Sequence, residues 1–392
     1  MVCMNFRGNP MGENTTPQAV GIAHSSGKRN ASLSFLPYIT ARENEFLSDL
    51  RQAQEEGLPI YIMGSARGGG RQAALCCENA GIPHEGLVVS RRFWTEGSPE
   101  RCFEDLMESI QTKVGIVAAF RGYREDMLRP YQDKIGKIIH RDCFAGIRTA
   151  GDSGFMTYDW VLEHREQLQN TFDLLEDELS RQSMAAHINQ RISADYQYLA
   201  GVKRDCQYFE DDLVELSEHE RFLDCGAFDG DSAAAFVDAL RRRGIDGYEE
   251  VVSFEPDAGN CRKMRSRNLP RHTCVCKGVA EKPGVVLFTA DGTSGRVEDG
   301  GGEQIELESI DHYLDGTRAT MIKMDIEGME LSALKGAERT IKIWKPKLAI
   351  CIYHKREDLW EIPQYIKTLA PDYRFYIRAY DDTWCELVLY AL

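Results

Sequence analysis

Apolar residues fall in short runs along this chain, and the period of those runs changes from one stretch to the next. Up to about residue 35 the sequence is rich in Gly, Asn, Ser, Thr and Pro with little apolar periodicity, which predicts a disordered tail over 1–35. From Leu58 the texture shifts. Pro59-Ile60-Tyr61-Ile62-Met63 reads as a strand and ends in Gly64-Ser65-Ala66-Arg67-Gly68-Gly69-Gly70. Ala73, Ala74, Cys76, Cys77 and Ala80 then mark a helix that stops at Gly81, with Leu87-Val88-Val89 and Gly115 to Phe120 as later strands. Strand, glycine turn, helix, strand is the parallel βαβ pattern, so 36–150 is expected to form a small Rossmann-like α/β domain.

Residues 155 to 215 carry no strand pattern. Phe172, Leu175 and Leu179 follow one helical stripe and Met184, Ile188 and Ile192 another, which predicts a helical connector over 151–218. Its acidic end, Glu210-Asp211-Asp212, reads as solvated surface. Strands and helices alternate again over 219–392. A strand runs into Asp224, a helix begins near Asp231 with Ala235, Phe236 and Leu240 on one face, and Val251 to Phe254 form the next strand. Further on, Ala319 to Asp325 reads as a strand, and Leu331, Leu334 and Ile341 as the buried stripe of a helix. Leu348 to Tyr353 is another strand.

Composition narrows the classes. The chain has 392 residues, 43% hydrophobic and 28% charged, enough for two or three globular cores. A formal charge of −15 argues against a nucleic-acid substrate, which would want a basic surface. The local run Arg241-Arg242-Arg243 is read as the solvated, capped end of a helix. No window approaches the roughly eighteen uninterrupted apolar residues of a membrane helix. Met1 to Pro10 lacks the apolar core of a signal peptide, so a cytoplasmic location is expected. The twelve cysteines lack zinc-ligand spacing, and without a secretion signal they are expected to be free, mostly buried thiols.

Two acidic strand ends carry the chemistry. Asp224-Cys225-Gly226-Ala227-Phe228-Asp229-Gly230 places an acid before the first glycine, and Glu255-Pro256 closes the following strand. A carboxylate at the second strand end can accept both hydroxyl hydrogens of a ribose. Dinucleotide folds crowd three glycines around a diphosphate, which an aspartate at the turn would repel. S-adenosylmethionine carries no phosphate and two cationic groups, and suits an acidic turn. A third cluster, Lys323-Met324-Asp325-Ile326-Glu327-Gly328-Met329-Glu330, lies where a strand reaches the ligand-binding edge of the sheet. Lys323 and Asp325 alternate to one side of that strand.

Phe222 to Asp231, Phe254-Glu255-Pro256-Asp257, Ile322 to Glu330, Tyr353-His354-Lys355-Arg356-Glu357-Asp358-Leu359 and Cys385 to Tyr390 resemble the FkbM methyltransferase family, over roughly 219–392. The resemblance implies a class I methyltransferase Rossmann-like domain with a seven-stranded sheet whose last strand is antiparallel. It implies S-adenosyl-L-methionine as cofactor, bound by Asp224, Gly226 and Glu255. The candidate set around them takes in Asp229, Ser232, Pro256 and Asp325. Members methylate hydroxyls of sugars, glycans and polyketide products, so a small-molecule or glycan acceptor is expected. Met329 departs from the family pattern, which has Ala after the glycine of the Glu-Gly pair; packing, not chemistry, is expected to change.

His354, Asp325, Glu327 and Lys323 are the catalytic candidates, His354 having the most suitable ordinary pKa for a general base. Asp325 and Glu327 are hard oxygen donors, yet two residues fall short of a metal site, and none is assigned. The glycine loop Gly64 to Gly70, with Ser90-Arg91-Arg92 after the next strand, could take a nucleotide phosphate, or the domain could be structural or dock a partner. Phe288 to Arg296 reads as a hairpin. Two other functions remain: an S-adenosylmethionine sensor or docking protein without turnover, and a nicotinamide-dependent oxidoreductase, which the acidic first turn disfavours.

Overall fold

The computed structural model describes residues 34–66, 68–120, 122–143, 156–290, 295–297 and 303–392. The expected tail over 1–35 falls almost wholly outside these residues. A parallel five-stranded sheet and a mixed seven-stranded sheet are bridged by helices, and a smaller four-stranded sheet accompanies the second.

The first unit runs α1 (Glu45–Glu55), β1 (Ile60–Met63), α2 (Gly69–Asn79), β2 (Leu87–Val89), β3 (Arg101–Cys102), α3 (Phe103–Ser109), β4 (Val114–Ala118) and β5 (Ile135–Ile139). Its strands lie in the order β3-β2-β1-β4-β5, all parallel. β1 and β4 are buried along their whole length, which is why they read as continuous apolar runs. The bridging helices are α4 (Tyr158–Glu163), α5 (Arg165–Leu174), α6 (Glu178–Ser193) and α7 (Gln197–Ala200). Asp177 caps α6, its carboxylate accepting from the Ser180 N–H. Met184, Ile188 and Ile192 are buried as their spacing predicts, but so are His187, Gln190 and Arg191, since α6 is packed on all sides.

The C-terminal unit runs β6 (Arg221–Cys225), α8 (Asp231–Arg242), β7 (Glu250–Phe254), α9 (Ala258–Ser266), β8 (His272–Val275), β9 (Gly278–Val279), β10 (Gly284–Ala290), β11 (Gly295–Val297), β12 (Glu303–Glu308), α10 (Ile310–Leu314), β13 (Met321–Met324), α11 (Glu330–Lys335), α12 (Glu338–Trp344), β14 (Lys347–Cys351), α13 (Asp358–Leu369), β15 (Phe375–Ala379) and β16 (Leu387–Ala391). Seven strands order as β15-β16-β14-β13-β6-β7-β8, with β16 antiparallel to both neighbours. This is the Rossmann-like class I architecture expected. β9 to β12 form a separate four-stranded sheet. In it β10 and β11 pair antiparallel, Ala290 opposite Gly295, as the hairpin reading expects; residues 291–294 of the turn lie outside the described set.

Three expectations need correction. Arg243 is not a solvated helix end: its guanidinium donates to Asp211, to the Val214 carbonyl at 2.5 Å and to the Phe209 carbonyl at 2.9 Å, clamping the 209–214 segment onto α8. Glu210, read as surface, is buried between Arg204 and Arg378, each 3.6 Å away. The thiols are not all free. Packing of α9 on β8 joins Cys261 to Cys276, with Cα atoms 6.1 Å apart, while Cys76, Cys77, Cys102, Cys143, Cys225, Cys351 and Cys385 are buried and free.

Candidate active site

The carboxyl ends of β6, β7, β13 and β14 meet at one edge of the large sheet, and their parallel register decides which side chains face each other. Gly226 follows β6 at φ 78° and sits so close to the next strand that a Cβ there would lie 1.8 Å from the Asp325 carbonyl oxygen. Only glycine fits. The Gly226 and Ala227 N–H groups both donate to the Phe254 carbonyl at 3.0 Å, and the Asp325 N–H donates to Cys225 at 3.0 Å, so the turn is fixed from both sides.

Glu255 stands one strand over. Its carboxylate accepts from the Phe228 N–H at 2.9 Å and the Asp257 N–H at 2.8 Å, bridging the two turns. Burial pushes its carboxyl up to about 6 against the pull of these donors. Each oxygen keeps lone-pair capacity for a ribose hydroxyl. Pro256 follows in the same turn, and Asp257 caps α9 through the Asn260 N–H at 2.6 Å.

Asp224 and Lys323 are neighbours in the β6–β13 register, and both are buried. The Lys323 Nζ lies 3.2 Å from Asp224 and donates to the Gly226 carbonyl at 2.7 Å. Burial opposes the charge on Lys323, but Asp224 and then Asp325 outweigh it and keep the ammonium protonated. Asp224 thus supports the first turn through Lys323; fully buried, it presents no oxygen at the surface. Asp229 is likewise engaged, its carboxylate 2.6 Å from Arg267, and Ser232 is buried in the first turn of α8.

At the same sheet edge, His354 lies three residues beyond β14 and is buried within a ring of carboxylates. Its Nδ1 is 3.0 Å from Glu330, and its Nε2 is 3.5 Å from Asp325 and 3.6 Å from Glu327. Burial opposes a charge on the ring, but Glu330 first, then Glu327 and Asp325, push its pKa up to about 10. The surrounding carboxylates favour the protonated ring, which counts against His354 as a free base. Glu327 sits at φ 55°, a strained position for a residue with a side chain, and burial pushes its carboxyl up. Asp325 is held low, Lys323 and His354 overcoming its burial, and accepts from Tyr353 at 3.0 Å and Tyr208 at 3.3 Å.

The sequence does not single out Tyr208, Cys351 or Trp384, and it marks Tyr353 and Glu386 only within the stretches that resemble the family. Tyr208 comes from the loop after α7, and no period marks it. Glu386 and Trp384 lie on the β15–β16 connection; donor atoms of Asp325, Cys351 and Glu386 lie within 4.8 Å of one another, and Trp384 packs 6.0 Å from Tyr353. The first unit reaches this side too. Asp142, just past β5, accepts from Gln190 at 2.8 Å and from the Trp384 N–H at 3.2 Å.

The glycine loop of the first unit is packed rather than open. A Cβ on Gly69 would lie 2.0 Å from the Ala119 carbonyl oxygen, and one on Gly70 2.3 Å from that of Gly64. Close backbone approach accounts for these glycines without a phosphate. Arg91 pairs with Asp105 at 2.5 Å.

Residues 224–382 match the model of the methyltransferase FkbM domain. Among solved structures, methyltransferase FkbM from Methylobacillus flagellatus KT is 23% identical, with 91% of this chain and 95% of that chain covered and a TM-score of 0.65. That likeness is one of fold, and it runs through the first unit as well as the second. An rRNA methylase from Streptococcus thermophilus (14% identity, 45% and 87% covered, TM-score 0.30) and a putative methyltransferase from Streptococcus mutans solved with SAH (9%, 45% and 90%, 0.28) are more remote. No curated protein matches. No described helix is long and apolar enough to cross a membrane.

Proposed function

We propose that this chain, whose C-terminal domain belongs to the FkbM methyltransferase family, is an S-adenosylmethionine-dependent O-methyltransferase acting on a hydroxyl of a sugar, glycan or secondary metabolite. One observation carries the reading. A carboxylate suited to a ribose, Glu255, stands beside the Gly226 turn and two strands from an acidic cluster that includes Glu327, held at φ 55°.

When bound, S-adenosylmethionine supplies a methyl group on a cationic sulfur. Glu255 accepts its ribose hydroxyls, and Gly226 lets the backbone approach. The acids at this edge favour a cation over a phosphate, which supports this cofactor over a dinucleotide. At the acceptor, Glu327 takes the hydroxyl proton; its raised pKa makes it a stronger base than an ordinary carboxylate. Tyr208 and Tyr353 fix Asp325, which with Glu327 orients the hydroxyl. Positioning of this kind supplies much of the rate in an in-line displacement.

Calorimetric titration with S-adenosylhomocysteine, followed by turnover with a panel of hydroxyl acceptors, tests the proposal. One-site binding that is lost in Glu255→Ala, and turnover that falls roughly 10²–10⁴-fold in Glu327→Gln, are expected. Binding without turnover on any acceptor would leave a sensor, and binding of NAD in its place would point to an oxidoreductase.

A further inference from the structure

Asp325, Glu330 and His354 come from three separate places in the chain: the end of β13, the start of α11 and the segment beyond β14. One donor atom from each lies within 4.8 Å of the other two. Donors sharing one divalent ion at about 2.1–2.2 Å sit roughly 3 Å from each other, so these side chains would draw together around a cation. Two carboxylates and one imidazole suit a hard to borderline divalent ion such as Mg²⁺ or Mn²⁺.

A second observation points the same way. Glu330 is fully buried. Its Oε1 accepts from the Ile326 N–H at 2.9 Å and faces His354, whereas its Oε2 has no hydrogen-bond partner among the described residues. A buried carboxylate oxygen left unpaired is costly, and a cation satisfies it. Of the side-chain cations nearby, Lys323 is engaged with Asp224 and Lys355 with the Gly328 carbonyl, while His354 Nδ1 faces Glu330 Oε1; a cation bound here takes the place of a proton on the His354 ring. Glu327 lies 3.6 Å from His354 Nε2, at the mouth of the same cluster.

We propose that Asp325, Glu330 and His354 form a divalent-cation site at the acceptor side of the sheet edge. The cation binds there whatever the enzyme does; its use in catalysis, lowering the pKa of an acceptor hydroxyl beside Glu327, rests on the methyl-transfer reading.

The test is titration of the full chain, dialysed against chelator, with Mn²⁺, read by calorimetry and by loss of the free-ion electron paramagnetic resonance signal. S-adenosylhomocysteine is titrated in parallel. One saturable Mn²⁺ site per chain is expected, weakened at least tenfold in Asp325→Asn and in Glu330→Gln. Asp325→Asn, at a partly exposed position, keeps the comparison valid where Glu330→Gln fails to fold. No saturable Mn²⁺ binding, or binding equal in wild type and Asp325→Asn, overturns the site. S-adenosylhomocysteine binding without Mn²⁺ binding overturns the cation site alone; Mn²⁺ binding without S-adenosylhomocysteine binding supports the site and sinks the methyl-transfer reading.

Discussion

Replacing Gly226 by Ala asks two things of the fold, and a second glycine separates them. Gly226 sits at φ 78°, and Gly316, in the turn after α10, at φ 87°. An L-residue in that region costs about 1–2 kcal/mol, and this is the whole expected cost at Gly316, where an added Cβ meets nothing within 4 Å. At Gly226 the Cβ meets the Asp325 carbonyl oxygen at 1.8 Å, backbone against backbone, and no rotamer relieves it. Overpacking of that kind adds about 1–3 kcal/mol, for a total of about 2–5 kcal/mol. The melting temperature of Gly226→Ala is therefore expected to fall roughly twice as far as that of Gly316→Ala. Relief of the clash also moves Asp325 away from Tyr208 and Tyr353, so S-adenosylhomocysteine affinity is expected to drop at least tenfold in Gly226→Ala and to hold in Gly316→Ala. Thermal melts and calorimetry on both variants provide the measurement. Equal destabilisation of the two, with affinity unchanged, would refute the packing described for this turn.

Other perturbations follow from the same geometry. Lys323→Met strands the buried Asp224 carboxylate and is expected to cost about 3–5 kcal/mol in urea unfolding, most of it recovered by adding Asp224→Asn. Glu255 titrates near 6 when folded, and ribose binding needs the carboxylate. Acid below that point protonates it, so S-adenosylhomocysteine affinity should fall about tenfold per pH unit below 6 and level off above it; a flat profile from pH 5 to 8 would remove Glu255 from the contact. The raised pKa has the opposite sign for stability: the folded state favours the protonated carboxyl, so this group's contribution weakens as pH rises through 6. Tyr353→Phe removes a hydrogen bond to the Asp325 carboxylate and should lower kcat about ten- to a hundredfold with the melting temperature nearly unchanged, as measured by steady-state kinetics.

Much of the C-terminal domain is legible in the sequence because its signals are local. Alternation and helical stripes locate β6, α8, β7 and β13, and an acid at the end of β7 can be placed there by counting residues. Gly226 announces a turn, although only the fold shows that the turn is needed to clear the Asp325 carbonyl. Contacts across the sheet edge are different. Lys323 and Asp325 alternate to one side of a strand, which names no partner for Lys323; parallel pairing of β13 with β6 sets it beside Asp224. His354 offers an ordinary imidazole in the sequence; three carboxylates from other segments favour its protonated form. Tyr208, Trp384 and Glu386 arrive from connections whose course no periodicity fixes, as do the burial of Glu210 and the pairing of Cys261 with Cys276. The sequence by itself determined which elements form and which residues end them, since φ/ψ preference and apolar period act over a few neighbours. Only the tertiary structure decided which ends meet, since burial and electrostatics act between residues that chain order keeps far apart.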